Sequence, residues 1–332
     1  MNKKEFLMRL LMIIVLIIPF AIMNWFIYDL LTVRLGNNFS GSTQQQMVDV
    51  GKYLPFEEES DLARIETDFT VEGDLPVLDG SAALVPVYAS IIENVYPEGC
   101  VTYEGGEFSD DNYYGENFAA DSAMQYHNTI RGFNAVVDGN VDLFFTAIPS
   151  AEQFEYADSQ GVTLECVPVG REAFIFFVNS NNPIDNLEAD DIRRIYSGEY
   201  TNWNQVGGVT RPINPISRIP GSGSQTMMDH FMGDVETGDK SPLALFGGAL
   251  GFSFRFYFET MVSNESVKMI SVNGVYPSVE NIVNGEYPLT TQFYAVYRTD
   301  NDNENVTRIV EWLTTDEGQQ IIEGSGYVPY YM

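Results

Sequence analysis

Two short apolar stretches constrain this chain more than anything else: Val141 to Thr146 and Ala173 to Val178. Both are too brief to be long helices, and turn-forming or polar residues bound them, such as Asp138-Gly139-Asn140 before the first. The second, Ala-Phe-Ile-Phe-Phe-Val, is apolar without alternation. Such a pattern suits a strand covered on both faces rather than one with a wet side. Further strand-like stretches fall at Val101 to Tyr103, Val162 to Val169, Val267 to Ile270 and Phe293 to Tyr297. Between them lie helical patterns. Ala82 to Asn94 carries Leu84, Val87, Tyr88 and Ile91 on one face, with Pro86 in its first turn, where a missing amide hydrogen costs little. Asn128 or Thr129 can cap a second helix, which runs to Val137, and a third opens at Ser150 with Gln153 completing a capping box. Glu188 to Tyr196 and Asn305 to Thr314 follow, and a short helix is expected near Glu58 to Ile65. Strands alternating with helices over this length predict an α/β architecture with parallel or mixed sheets. Ligands of such sheets bind at the carboxyl ends of the strands.

One junction has the chemistry for this. Pro212 to Ser217 reads as a strand, Arg218-Ile219-Pro220-Gly221-Ser222-Gly223-Ser224-Gln225-Thr226 as a tight turn, and Met227 onward as a helix. The first amides of a helix lack internal acceptors, and the helix dipole favours negative charge there. Ser222, Ser224 and Thr226 add hydroxyls and Arg218 a fixed positive charge. The plain alternative is a capped helix after a turn, with Arg218 in a surface salt bridge. Leu78-Asp79-Gly80-Ser81 before the first helix is a second junction of this kind, so two glycine-serine helix starts can face one cleft.

Composition excludes several function classes. With 17 basic and 47 acidic residues the formal charge is -30, a surface that repels nucleic acid. A small-anion site remains possible through close contacts. Two histidines, His127 and His230, are too few for a histidine-rich metal centre, and no serine-histidine-acid spacing is visible. Neither a cofactor nor an enzymatic activity is expected. Cys100 and Cys166 match no zinc spacing. They either pair in an exported protein or remain buried thiols.

Residues 1–30 hold Lys3, Lys4 and Arg9, then an apolar run from Leu10 to Tyr28 with Asn24 as its one strongly polar residue. Nineteen residues of helix reach roughly 28 Å, the thickness of a bilayer core. The basic flank stays cytoplasmic. The expected result is an uncleaved signal anchor, a single-pass membrane location and an extracellular main domain, with residues 31–69 as tether. A cleaved signal peptide is the competing reading.

The ordered blocks from Leu75 to Met332 resemble a known family. They are Leu78-Asp79-Gly80-Ser81 and Asp142-Leu143 leading to Pro149-Ser150, then Ala173-Phe174-Ile175-Phe176 with Val178-Asn179. Ile195-Tyr196-Ser197-Gly198, Thr201-Asn202-Trp203, Arg218 with Ser222-Gly223-Ser224-Gln225-Thr226, Gly251-Phe252-Ser253-Phe254 and Thr315 to Gln319 complete them. The chain looks like the phosphate-binding, PstS-type substrate-binding proteins of ABC importers, most closely the extracellular Gram-positive forms. The resemblance implies a two-lobed, type II periplasmic-binding-protein-like fold. Residues 70–168 plus 272–332 would form lobe 1 and residues 169–271 lobe 2. It also implies a monomer that holds inorganic phosphate or a related oxyanion in the cleft and delivers it to an ABC permease. The family's ligand-binding positions carry over to Ser81, Ala82, Ala83, Thr129, Ser150, Arg218, Ser222, Gly223 and Ser224.

Three departures follow from the same comparison. Ala82 lacks the hydroxyl the family places there. Pro220 stands where an acidic partner of the arginine is expected. Ala147 falls near the position of the aspartate that accepts a proton from bound phosphate, with Glu152 or Asp79 as possible replacements. A carboxylate acceptor is a physical means of selecting a protonated anion over sulfate. Its loss raises a second reading, a ligand sensor or cell-surface interaction module on the same fold that binds a phosphorylated small molecule. Among the other polar residues, Ser150 reads more naturally as a cap, Arg255 either faces the cleft or is solvated, and Tyr113, Tyr114, Phe252, Phe254 and Phe256 read as packing.

Overall fold

A computed structural model describes residues 49–105, 118–240, 243–244, 247–261 and 265–330, all within the unit Met47–Met332. The anchor, the first part of the tether (31–48), and Tyr113 and Tyr114 lie outside the described residues. Among the described residues no helix is long and apolar enough to cross a membrane.

Ten strands are described: β1 (Leu78–Gly80), β2 (Leu143–Ala147), β3 (Leu164–Asn179), β4 (Asn186–Leu187), β5 (Ile213–Pro215), β6 (Gly248–Phe254), β7 (Val267–Met269), β8 (Ser271–Val272), β9 (Thr290–Arg298) and β10 (Val328–Pro329). Eight of them join one mixed sheet in the order β1-β2-β9-β3-β6-β5, with β7 and β10 also on β3, while β4 and β8 pair separately. β1 and β2 are parallel, as are β5 and β6, and β9 runs antiparallel between β2 and β3. This is the mixed α/β sheet expected from the two apolar stretches.

β3 is where structure and expectation differ most. Val162 to Val169 and Ala173 to Val178 read as two strands, yet sixteen residues form one. The charged pair between them does not break the strand because both side chains have partners. Arg171 donates to the carbonyls of Pro329 (2.9 Å) and Val283 (3.4 Å). Glu172 meets Arg255 at 3.5 Å. The register with β9 shifts between Pro168 and Gly170, a bulge that bends the strand as it passes from β9 to β6.

The helices are α1 (Val85–Val95), α2 (Asn128–Val137), α3 (Ala151–Ser159), α4 (Ala189–Tyr196), α5 (Gly223–Met232), α6 (Val279–Val283), α7 (Glu304–Leu313) and α8 (Asp316–Gly324). A three-residue 3-10 turn, Ala82–Leu84, replaces the first turn expected of α1, and Pro86 sits at its start. The strand expected at Val101 to Tyr103 is only an isolated bridge from Tyr103 to Phe118. Glu58 to Ile65 forms no helix.

Burial divides the apolar side chains into clusters. One gathers Tyr88, Ile91, Phe145, Phe293, Ile309 and Ile322 around α1, α7 and α8. A second gathers Phe174, Phe176, Ile192, Trp203, Met228 and Phe252 around α4 and α5. A smaller third holds Phe133, Phe144 and Val296 beneath α2. Tyr257 touches both the first and the second cluster, so it marks the seam between them.

Candidate functional site

The two glycine-serine helix starts do approach one region, and a third helix start lies between them. The backbone of β1 ends at Gly80, and Ser81 caps the 3-10 turn with its amide on the Phe145 carbonyl (2.8 Å). Across from it α2 begins with Asn128, in the left-handed region at φ 60°, and Thr129, both buried. The side-chain oxygen of Asn128 accepts three hydrogen bonds. They come from the Ala82 amide (3.2 Å), the Thr129 amide (2.7 Å) and the Thr129 hydroxyl (3.2 Å).

α5 supplies the other wall. Gly221, at φ 78°, makes the left-handed step that only glycine takes without strain, and it leads into Ser222. Ser222 is the N-cap, and its hydroxyl accepts from the Gln225 amide at 3.4 Å. Gly223 then brings the helix start against α2. A methyl group there would sit 3.8 Å from the Thr129 hydroxyl and 3.7 Å from the Phe254 ring. A methyl group on Gly221 would touch Ile130 at 3.4 Å. Ser224 follows on the first turn of α5, half-buried.

Arg218 stands at the head of the same turn. Its amide donates to Gln225 (2.8 Å), which fixes the turn's geometry. Its side chain is half-buried and lies near Tyr257 at the seam. Burial raises the Tyr257 phenol, and the Arg218 charge opposes that rise. Among the described residues no carboxylate pairs with the Arg218 guanidinium. The salt bridge that would have been the plain account of Arg218 is therefore not formed there.

Ser150 stands apart in role. Its hydroxyl accepts from the Gln153 amide (3.3 Å) and its amide donates to the Gln153 side chain (2.8 Å), the capping box expected from sequence. Glu152 does not replace the acceptor expected at 147. It is exposed, and the helix-start amide together with the Ser150 hydroxyl holds its carboxyl below the usual range. Asp79 is fully buried and committed. Its oxygens take the Gly80 amide (2.6 Å), the His127 amide (3.1 Å) and His127 Nδ1 (2.6 Å).

Sequence reasoning missed the partnership of Glu172 and Arg255. Both are buried, so Arg255 neither faces solvent nor lies open to a cleft. Glu172 accepts from the Ala173 amide (2.7 Å) and the Phe256 amide (3.2 Å). Arg255 also holds Glu259 (2.5 Å) and the Gly326 carbonyl (2.9 Å). Burial lifts the Glu172 carboxyl to about 7, against the pull of Arg255 and the two amides. The one signal in the sequence was acid and base each embedded in an apolar stretch, a placement that demands a partner.

Beside Ala147 lies a cavity of about 20 Å³, lined by Ser81, Ala83, Leu84, Ala147, Glu172, Phe254, Gln292, Phe293 and Tyr327. Its walls are almost wholly apolar. Ser81 and Ala83, on either side of Ala82, line it, as does Phe254, whose ring also faces Gly223.

The family model for the PBP superfamily domain matches residues 114–317, more than half of the chain. The chain belongs to the PBP superfamily. Its curated relatives include the phosphate-binding protein PstS of Borreliella burgdorferi, 25% identical over 47% of this chain and 63% of that protein. PstS of Bacillus subtilis is 24% identical over 66% and 74%. Protein SphX of Synechococcus elongatus is 23% identical over 76% and 86%. This chain thus spans just under two thirds of the Borreliella relative. Among solved structures, the ABC-type phosphate transport receptor of Vibrio cholerae aligns with TM-score 0.50 at 19% identity, covering 76% of this chain and 99% of that one. The periplasmic phosphate-binding protein PfluDING, solved with phosphate, aligns with TM-score 0.51 at 14% identity, over 77% and 91%. At these identities the structures speak for the fold.

Proposed function

We propose that this chain is a membrane-tethered extracellular solute-binding protein. It captures inorganic phosphate or a related oxyanion between two lobes and passes it to an ABC permease, acting as a monomer and catalysing nothing. The observation that carries the reading is the meeting of donors from separate segments. The Ala82 amide, the Thr129 amide and hydroxyl, and the start of α5 lie together, and the turn that leads into α5 is headed by an arginine with no carboxylate partner among the described residues. Backbone amides and one guanidinium suit a dehydrated tetrahedral anion. The phosphate-binding relatives support the ligand class.

The proposed lobes are residues 70–168 with 272–332, and residues 169–271. Their support is the division of the core into clusters, with β3 running through both sides. Closure of such lobes would bury the anion. The apolar run Leu10 to Tyr28 would keep the domain near its permease and raise its effective concentration there. A second reading, a surface sensor of a phosphorylated small molecule, is favoured by Ala147 and by the commitments of Asp79, Glu152 and Glu172 described above.

The test is calorimetric titration of the full-length protein, stripped of bound anion, with phosphate and sulfate in parallel. Tight phosphate binding without sulfate competition is expected. Arg218→Ala should weaken it about tenfold or more through loss of a charge-assisted donor. Binding of neither anion would sink the uptake reading and leave the sensor reading. Unchanged affinity in Arg218→Ala would overturn the site.

A further inference from the structure

We propose that Asn128 gates the oxyanion seat: its side-chain carbonyl occupies the position of a ligand oxygen, and the side chain must turn out for an anion to bind. This rests on the oxyanion-binding reading above. Three donors aim at one point, the Asn128 Oδ1, and two segments of the fold supply them. The Ala82 amide comes from the 3-10 turn after β1, and the Thr129 amide and hydroxyl come from α2. These donors fall at positions that the resemblance implies for ligand binding, and at residue 82, which has no hydroxyl, the amide is the one donor left.

Asn128 is not behaving as an ordinary helix cap. A capping asparagine precedes the helix and accepts from amides inside its own first turn. Here Asn128 opens α2 with a non-helical φ of 60°, and from its own turn its oxygen takes the adjacent Thr129 amide rather than one further along the helix. Its oxygen reaches Ala82, 46 residues earlier. The backbone adopts φ 60° at a buried residue to permit this. Asparagine tolerates that region better than most side chains, and glycine is free in it. The local conformation is therefore kept for a carbonyl that fills a polar gap.

A neutral carbonyl competes for these donors more weakly than a charged oxygen does, because hydrogen bonds to an anion are roughly twice as strong. Phosphate displaces it, at a cost set by the population of the closed rotamer. If the closed form outweighs the open form about tenfold, the apparent affinity is about tenfold below the intrinsic one. Asn128 would thereby set the affinity of the site without contributing a ligand contact, a role no serine or arginine of the site can show.

The test titrates inorganic phosphate into full-length wild type, Asn128→Gly and Asn128→Asp, each stripped of anion and checked for folding by circular dichroism. Glycine keeps φ 60° and removes the carbonyl, so phosphate should bind about tenfold tighter or more. Aspartate keeps the shape and places a negative oxygen on the same donors, so binding should weaken about tenfold or more. Glycine affinity equal to or below wild type overturns the gate. Should Asn128→Gly fail to fold, Asn128→Asp still decides: affinity matching wild type overturns the gate, and weaker binding supports it. If none of the three proteins binds phosphate, the oxyanion reading itself fails. Phosphate binding that ignores residue 128 defeats the gate alone.

Discussion

Glu172→Gln should change how stability depends on pH, with a sign fixed by the direction of the Glu172 shift. Burial lifts its carboxyl from 4.5 in the reference state to about 7 in the fold. Between those values the folded protein holds a proton that the unfolded chain has released. Unfolding free energy therefore falls as pH rises through this window, and the penalty is complete above pH 7. A rise of about 2.5 in pKa, at about 1.4 kcal/mol for each unit, corresponds to about 3 kcal/mol. Arg255 and the amides of Ala173 and Phe256 already oppose the rise, so this is what remains after their help. Glutamine keeps the volume and cannot ionise. It turns one acceptor into a donor facing an amide, which costs about 1–3 kcal/mol at every pH. Arg255 retains Glu259 and the Gly326 carbonyl. The constant cost and the changing one separate cleanly. Urea unfolding of anion-free wild type and variant at pH 4.5 to 8.5 gives the difference in stability at each pH. Wild type should lose about 3 kcal/mol relative to the variant across that range. The other carboxylates, common to both proteins, cancel in the difference. Parallel curves would refute the reasoning and mean that Glu172 ionises as easily as an exposed acid.

Gly170→Ala should destabilise the fold by about 1–3 kcal/mol through overpacking, because the added methyl would lie 2.2 Å from Phe293 Cζ and 3.0 Å from Ile322 Cγ2; an unchanged urea midpoint would contradict it. Cys100 and Cys166 are both free, and burial pushes each thiol up to about 11. At pH 8 each should react with iodoacetamide roughly a hundredfold more slowly than an open thiol, since the thiolate is the nucleophile; mass spectrometry that finds rapid labelling, or a disulfide between them, would refute this. The hydrogen bond that His127 donates to the Asp79 carboxylate raises its imidazole above the usual 6.5. Its stabilising contribution is full below pH 6.5 and fades as pH climbs through the higher folded value. In a proton NMR titration the His127 midpoint should lie above 6.5 in wild type and drop in Asp79→Asn; coincident midpoints would refute the coupling.

Much of the layout was legible because the chain's local rules agree with its fold. The apolar stretch from Ala173 to Val178 had to be a covered strand, and it is. The Ser150-Gln153 pair had to cap a helix, and both reciprocal hydrogen bonds are present. Trp203, in the block Thr201-Asn202-Trp203, is almost wholly buried. What could not be read depends on contacts between distant residues. Nothing near Arg171 and Glu172 says that Pro329, Val283 and Arg255 will satisfy them, so the local pattern predicts two strands rather than one. The gap at Ala82 and the side chain of Asn128 lie 46 residues apart, and only the fold brings them within hydrogen-bond distance. Asn128 read as a capping residue because sequence reports which groups can accept, not which donors will arrive.

Charge gives the arrangement its logic. A chain with formal charge -30 sets up a field that resists the approach of any anion, so the proposed capture would rest on contacts inside the screening distance, about 10 Å at 0.1 M salt. Helix-start amides fit that need, since their partial charges act at short range and require no carboxylate to neutralise them. Arg218 fits as well, for a guanidinium already engaged by an acid would offer an anion little, and the residue two places on is Pro220. The same reasoning bears on Ala147. It lines an apolar cavity, next to a Glu172 whose oxygens are engaged by backbone amides and Arg255. A carboxylate at 147 would add a negative group to that apolar wall, and alanine avoids the desolvation cost. Discrimination between a protonated and a fully ionised anion then cannot come from residue 147. On the proposed function it would come from how the neutral donors and Arg218 share the charge and, on the proposed gate, from how readily Asn128 yields its place.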